Sequence, residues 1–176
     1  DGFRTTLGYQ LSDASQGLDS AYGASVGYTF ATGFGFGLGG ENREYDNSSL
    51  NNTNNFDQDS RWAVNATYGT FGLSGFYTAV SYSEADTSYL SHPDTKDKAW
   101  ELVAAYSFYN NWTILTGYNR YYQEGSLQNV TDYYLFEAQY KLTPSLISFV
   151  EYRLDNGTTL GAANNDAMTL AVQYNF

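Results

Sequence analysis

The chain has 176 residues, which is long enough for one domain with a substantial interior. Its net charge of −11 argues against a nucleic-acid partner, because the phosphate backbone attracts basic surfaces. The absence of Cys excludes disulfides and thiolate metal sites. No apolar run is long enough for a transmembrane helix and no signal-peptide start is present, so an exported chain would be a processed or partial form.

Ten segments of alternating polar and apolar residues predict ten β-strands, and no segment keeps a helical period. Each is close to the length of about ten residues with which a tilted strand crosses a bilayer. A negative mean hydropathy is compatible with this, since only alternate residues of such a strand meet lipid. In chain order the predicted strands are 2–11, 20–30, 34–45, 60–70, 72–83, 98–108, 111–123, 131–142, 146–155 and 167–176.

The connections between the predicted strands alternate in length. The links after the second, fourth, sixth and eighth strands are short: "ATG" (31–33), "FG" (71–72), "YNN" (109–111) and "TPS" (143–145). The links after the odd-numbered strands are long and polar: 12–19, 46–60, 83–98, 124–131 and 156–167. Tight turns at one end and long loops at the other are typical of outer-membrane β-barrels.

The two faces of the predicted strands differ in chemistry. Along the fourth strand one face carries Trp62, Val64, Ala66 and Tyr68, while Arg61, Ala63, Asn65 and Thr67 lie on the other. Aromatic residues near the strand ends match the girdles of a membrane barrel. A soluble barrel or sandwich shows the same alternation, but Thr, Gln, Asn, Glu and Arg are poor material for a dry interior. The sequence therefore predicts an all-β, transmembrane, antiparallel up-and-down β-barrel that occupies residues 1–176 as a single segment.

Stretches along nearly the whole chain resemble the general diffusion porins of Gram-negative outer membranes. Among them are "AYGASVGYTFATGFGFGLGG", "RWAVNATYGTFGLSGFYTAVSYSE", "WELVAAYSFYNNWTILTGY" and the terminal "AVQYNF". The resemblance implies a water-filled channel for the passive diffusion of small hydrophilic solutes, with no catalysis, cofactor or metal. It also implies a homotrimer in the outer membrane, surrounded by lipid and lipopolysaccharide.

The same resemblance implies a larger barrel and an assembly signal. Those porins have sixteen strands, and these ten resemble the last ten, so the chain is expected to be the C-terminal part without the constriction loop. Porins of this kind end on Phe after alternating apolar residues, which implies that the barrel-assembly machinery engages Val172, Tyr174 and Phe176.

Charged residues on the polar side of the strands are candidates for the pore wall. Such charges set up a field across a wet lumen that sorts solutes by charge, and the acid excess predicts a mild cation preference. The alternative is that they only hydrate the lumen and pair with neighbours. Strand parity carries Arg120 to the opposite, apolar side, where it could snorkel or meet lipopolysaccharide phosphates. The candidates are Arg4, Glu41, Arg43, Arg61, Glu101, Glu137, Glu151 and Arg153, together with Lys141 and Asp155.

Two motifs point to other functions. The stretch "GFGFGLGG" (33–40) contains GxGxxG spacing, but its glycines alternate with apolar residues in a predicted strand and no helix follows. His92 lies in a polar loop beside Asp94, and ten-stranded outer-membrane proteases place Asp and His at the extracellular rim. The alternative function is therefore a small ten-stranded barrel that acts as an omptin-like protease or as a surface receptor.

Overall fold

The computed structural model of the chain describes residues 2–13, 15, 17–46, 56–124, 130–156 and 165–175. It confirms the predicted order of ten strands, with shifts at most strand ends. Within the described residues, no helix has the length and apolar character needed to cross a membrane. The strands are β1 (Gly2–Gln10), β2 (Leu18–Thr29), β3 (Phe34–Tyr45), β4 (Phe56–Tyr68), β5 (Gly75–Tyr89), β6 (Thr95–Ser107), β7 (Trp112–Glu124), β8 (Val130–Thr143), β9 (Leu146–Asp155) and β10 (Ala167–Tyr174).

Each strand pairs antiparallel with the next, so the strands form one sheet in chain order from β1 to β10. The register is continuous except for irregularities at Leu18/Ser20, Phe56/Gln58 and Lys141/Thr143, all near strand ends. Among the described residues, β1 and β10 are the edges of the sheet and do not pair with each other. A closed barrel requires a partner for each of these edges.

The hairpin between β5 and β6 is longer than the sequence predicted. The segment 83–98 was expected to be a loop, but β5 continues to Tyr89 and β6 begins at Thr95, so the turn spans only 90–94. Opposite charges on the two strands explain the extension, because Glu84 lies opposite Lys98 and Asp86 lies opposite Lys96. The β4 strand likewise begins earlier than predicted, at Phe56.

Positive backbone angles shape the tight turns at the other end of the sheet. Gly33 in the β2–β3 turn has φ 83° and Gly69 in the β4–β5 turn has φ 80°. The two turns are joined, since the amide of Gly69 donates to the carbonyl of Gly33 at 3.0 Å. A Cβ at Gly69 would lie 2.1 Å from the carbonyl oxygen of Phe76, so this position has no room for a side chain. The turns at this end are therefore fixed both by conformation and by close approach.

One face of the sheet is apolar and carries two belts of aromatic rings. Near the loop end, Tyr82 packs against Trp62 and Trp100, with ring centroids 5.4 and 4.4 Å apart. Near the turn end, Trp112 packs on Tyr140 at 4.9 Å. The register aligns aliphatic residues between the belts, including Leu38, Val64, Val80, Leu102 and Ile114. We call this side the apolar face and the opposite side, which carries Arg61 and Glu101, the polar face.

The apolar face is not covered by any other part of the described chain. Leu7 and Leu170 are each 81% exposed, and Trp100 is half exposed. Of the hydrophobic residues described, only Leu18 and Ala105 are buried, and no large side chain is fully buried. This decides against a soluble sandwich, whose two sheets would bury such a face against each other. Hydrocarbon is the remaining environment that suits it.

Candidate functional site: the polar face of the sheet

The pairing register brings all the predicted pore-wall residues to the polar face. Because antiparallel partners point to the same side of a sheet, each row of partners crosses a single face of the sheet. One row runs from Arg4 through Gly27, Gly37, Asn65 and Ser81 to Glu101, and continues to Asp155. The remaining candidates occupy other rows of this face: Glu41, Arg43, Arg61, Glu137, Lys141, Glu151 and Arg153.

Four charged residues of β3 and β4 form a linked group near the loop end of the polar face. Arg61 Nη2 lies 2.7 Å from Asp59 Oδ2, and Arg61 Nε lies 3.9 Å from Glu41 Oε1. Arg43 Nη2 lies 3.0 Å from the same Glu41 oxygen. Asp59 is only 4% exposed, whereas the Arg61 side chain is about half exposed. The predicted residues Glu41, Arg43 and Arg61 are thus brought together, and the sequence analysis missed Asp59, which anchors Arg61.

A second charged group lies on β8 and β9. Glu137 is directly opposite Glu151 in the register, and Gln139 donates a hydrogen bond to Glu137. Arg153, two residues beyond Glu151, lies over the ring of Tyr133 at 5.5 Å and donates to the carbonyl oxygen of Asn165 at 3.2 Å. The two carboxylates therefore sit side by side on the wall, and Arg153 is directed towards the loop end.

Arg4 and Glu101 belong to neither of these groups. Glu101 accepts a hydrogen bond from Ser81 Oγ at 3.3 Å. Arg4 is exposed on the edge strand β1, and it shares a row with Glu101 but is separated from it by β2, β3, β4 and β5. These two residues place single charges of opposite sign in one row of the polar face.

Glycines replace larger side chains on the polar face of β3. Gly35 and Gly37 lie on this face, and the "GFGFGLGG" stretch falls almost wholly within β3 as predicted. A Cβ at Gly37 would lie 3.0 Å from the side-chain amide of Asn65, and one at Gly35 would lie 2.8 Å from Thr67 Oγ1. The side chains of Asn65 and Thr67 thus lie across the glycines. As a result, few atoms project from this part of the polar face.

The polar face also carries apolar side chains that the sequence analysis did not place there. Leu115 is opposite Glu137 and Ala105, and Leu135 is opposite Arg153. Phe149 lies opposite Gln139 on the same side. Strand β9, "LISFVEYRLD", is apolar on both faces over its first half, which is the signal that could have revealed this patch.

Charged residues also project from the apolar side of the sheet, on the loop side of the tryptophans. Arg120 is exposed and lies between Trp100 and Asp132 in the register, as strand parity predicted. Lys98 donates a hydrogen bond to Glu124. Lys96 Nζ lies 3.2 Å from Asp86 Oδ1. We call this set the outer charged belt: Glu84, Asp86, Lys96, Lys98, Arg120, Glu124 and Asp132.

His92 lies in the exposed turn between β5 and β6. Its Nδ1 is 3.1 Å from Ser91 Oγ and its ring is 6.1 Å from the ring of Tyr89. Asp94 accepts a hydrogen bond from the backbone amide of Tyr89 at 3.3 Å. Among the residues that the structure describes, no group of three or more His, Asp or Glu side chains is arranged to hold a metal ion.

The residues of the predicted assembly signal lie on and beyond β10. Val172 and Tyr174 are on the apolar face and are 64% and 57% exposed. Phe176 falls outside the described residues. Strand β10 pairs with β9 along its whole length, and its other edge has no partner strand among the described residues.

Comparison with known proteins identifies the class of this sheet. A family model described as Gram-negative porin matches residues 1–160. The solved structure of Salmonella typhi OmpF in complex with daunomycin matches with a TM-score of 0.75 and 20% sequence identity. That match covers 99% of this chain and 57% of the OmpF chain, so the chain spans little more than half of OmpF.

A structure of the KdgM porin matches over 99% of both chains at 14% identity, but its TM-score of 0.33 is too low to support an argument. A comparison with curated proteins finds no match in sequence. The OmpF match shows a shared fold, and the family model covers nearly the whole meander. With its uncovered apolar face and its charged polar face, this chain belongs to the Gram-negative porin family and is an outer-membrane β-barrel segment.

Proposed function

We propose that the polar face lines a water-filled channel through which small hydrophilic solutes and ions diffuse passively. The observation that carries this proposal is the difference between the two faces in the middle of the sheet, between the aromatic belts. Charged and hydroxyl side chains share one face, while the other is apolar and uncovered. The channel would act without catalysis, cofactor or energy coupling, because the wall needs only to offer water and fixed charges to the solute.

The complete pore is proposed to be a sixteen-stranded barrel in which this chain forms the last ten strands. Two observations support it: the unpaired edges of β1 and β10, and the coverage of only 57% of the OmpF chain. Mass spectrometry of the protein purified from outer membranes should then give a mass well above 19.6 kDa. A mass equal to that of this chain would contradict the sixteen-stranded barrel.

Cysteine accessibility tests which face borders the channel, and residues 1–176 contain no Cys that could interfere. Ser81 lies on the polar face, and its chain neighbour Val80 is 38% exposed on the apolar face. We expect a charged, membrane-impermeant thiol reagent to change the single-channel conductance of S81C but not that of V80C. Modification of V80C alone, or of neither variant in a conducting pore, would contradict the proposal.

The trimeric assembly and the lipopolysaccharide contact are part of the same proposal. The outer charged belt supports the second, because Lys96, Lys98 and Arg120 lie where a lipid phosphate would meet the sheet. We expect the triple change to Gln at these positions to lower the lipopolysaccharide that co-purifies with the protein. The matched control is Arg4→Gln on the polar face, which should leave that amount unchanged.

The barrel-assembly machinery is proposed to recognise the last strand through Val172, Tyr174 and Phe176. The exposed apolar side chains of β10 support this, because they offer a contact before the strand has a second partner. We expect Phe176→Ala to slow assembly and to leave the conductance of finished pores nearly unchanged. The rate at which the heat-modifiable form appears in cells measures assembly, and an unchanged rate would remove the role of Phe176.

A further inference from the structure

A row of aromatic rings crosses three strands at the loop end of the polar face. Tyr45 ends β3, Phe56 begins β4 and Tyr89 ends β5, so each strand contributes one ring. The ring centroids are 5.2 Å apart from Tyr45 to Phe56 and 5.4 Å apart from Phe56 to Tyr89. His92 extends the row beyond Tyr89. We call Tyr45, Phe56 and Tyr89 the aromatic row.

The row faces the same side as the charged group of β3 and β4. Tyr45 is close enough to Arg61 to interact with its charge. Tyr89 follows Thr87 by two residues, and Thr87 is opposite Asp59, so Tyr89 points to the polar face. The rings are half-buried rather than enclosed. They therefore present apolar and π surface at the end of the proposed channel that carries the longer loops.

An acidic group without a full set of partners lies on the same face as the aromatic row, further from the loop end. Asp97 lies opposite Ala85 and Gln123 on the polar face, and the hydroxyl of Tyr121 donates to its carboxylate. Tyr121 is in turn close enough to Tyr89 for the two groups to interact electrostatically. The Oδ1 atom of Asp97 is buried and has no hydrogen-bond partner within the described part of the chain. A buried anionic oxygen without a donor is costly and favours the approach of a cation.

The nearby basic residues do not neutralise Asp97. Arg61 is bound to Asp59 and Glu41, and Arg43 is bound to Glu41. Among the described residues, no ion pair involves Asp97. The charge of this carboxylate is therefore not balanced by an ion pair, and its hydrogen-bond donor is Tyr121.

We propose that the aromatic row, Tyr121 and Asp97 form a binding site for small organic cations at the loop end of the channel, with preference for ammonium compounds that carry an aromatic ring. The ligand's ring packs against the aromatic row and its ammonium group meets the tyrosine π faces, while the unbalanced charge of Asp97 attracts the cation without direct contact. Hydrated alkali cations lack the apolar part of this contact, so the site concentrates organic cations at the entrance. The inference deepens the proposed diffusion channel and rests on it.

The test uses the intact protein purified from outer membranes in detergent, with benzyltrimethylammonium as the probe and benzyl alcohol as its neutral counterpart. Titration calorimetry should detect binding of the cation and much weaker binding of the alcohol. Tyr89→Leu and Asp97→Asn should each raise the Kd of the cation by about fivefold. The matched control is Tyr106→Leu, which removes a tyrosine from the apolar face and should leave the Kd unchanged.

Absence of cation binding by the native protein would overturn the inference, as would equal Kd values for native protein and both variants. Equal binding of benzyl alcohol would also overturn it, because the row would then be only an apolar surface. Asp97→Asn preserves the shape of the side chain, so it keeps the test valid if Tyr89→Leu does not fold. Calorimetry does not require conduction, so the two proposals can fail separately. A conducting pore that does not bind the cation would contradict only this inference. A protein that binds the cation but does not conduct would contradict the proposed channel.

Discussion

Arg61 shows how a single side chain can hold two carboxylates on the wall of the proposed channel. Its guanidinium bonds Asp59 through both Nε and Nη2, at 3.1 and 2.7 Å from Oδ2, and it lies near Glu41. Since Asp59 is buried, its charge depends on Arg61 for compensation, while Arg61 is half exposed and can also be solvated by water. The pair is therefore asymmetric: losing Arg61 leaves an uncompensated buried acid, whereas losing Asp59 leaves a solvated base.

Substitution at this pair should change ion selectivity in opposite directions. We expect Arg61→Gln to raise the preference for cations and Asp59→Asn to lower it, because each leaves one charge on the wall without its partner. The permeability ratio should change by no more than about fivefold, which corresponds to about 1 kcal/mol for two charges 4 Å apart in water. Reversal potentials under a salt gradient measure this ratio. Arg120→Gln, on the other side of the sheet, is the control and should give no shift.

The residue-scale predictions from sequence succeeded where strict alternation decides the side of the sheet. Arg61 and Glu101 were placed correctly because each belongs to a strand with one clearly apolar face. Asp59 and Leu115 were missed for different reasons. Asp59 lies in a segment predicted as loop, and Leu115 was not named because only charged residues were considered for the polar face, although strand parity places it there. That the charged face lines a pore stays a prediction.

At the scale of the elements, the tight turns hold neighbouring strands together at one end of the sheet. The turns after β2 and β4 are tied together by the hydrogen bond between Gly69 and Gly33, and each uses a glycine with positive φ. The two turns differ in the space that a Cβ atom on the glycine would have. A Cβ at Gly33 would come no closer than 3.6 Å to another atom, while one at Gly69 would overlap the carbonyl of Phe76.

This difference predicts unequal costs for the same substitution. Gly33→Ala should lower the free energy of unfolding by about 1–2 kcal/mol, the cost of a left-handed conformation for a residue with a Cβ. Gly69→Ala should cost at least about 3 kcal/mol, because the backbone of β5 must also move. Thermal unfolding of the intact protein in detergent measures both. Equal midpoints for the two variants would show that the close approach at Gly69 does not matter.

The loop end of β5 and β6 shows what the periodicity of a single strand cannot predict. The segment 83–98 looked like a loop because it is polar on both sides, and polarity on both sides is the usual sign of a loop. The structure instead extends β5 and β6 through ladders of opposite charge, such as Asp86 with Lys96. Cross-strand pairing of this kind depends on register, which single-strand periodicity does not contain.

At the scale of the whole molecule, the two free edges determine what the sheet requires. Strands β1 and β10 each have one side without a β partner in the described part of the chain. Unpaired amide and carbonyl groups are expensive in hydrocarbon, where no water can replace the missing partner. A stable membrane form therefore needs both edges to be paired.

This requirement predicts different behaviour for the 176-residue chain alone and for the intact protein. In detergent, the intact protein should show a heat-modifiable, folded band and steady conductance. The chain expressed alone should give neither, because its edges would pair with other copies and aggregate. Electrophoresis with and without heating checks this. A folded, conducting preparation of the short chain would show that ten strands can close by themselves.

The lack of a packed interior has a consequence for how this family diverges. No large side chain in the described sheet is fully enclosed, and its apolar residues meet a fluid rather than fixed neighbours. Exchanging one apolar residue for another therefore creates neither a cavity nor a clash, the two penalties that conserve sequence inside globular proteins. Apolar residues of the membrane-facing surface can therefore be exchanged during evolution while the backbone hydrogen bonds between the strands stay intact. This tolerance is consistent with a backbone that superposes on OmpF although only 20% of the residues are identical.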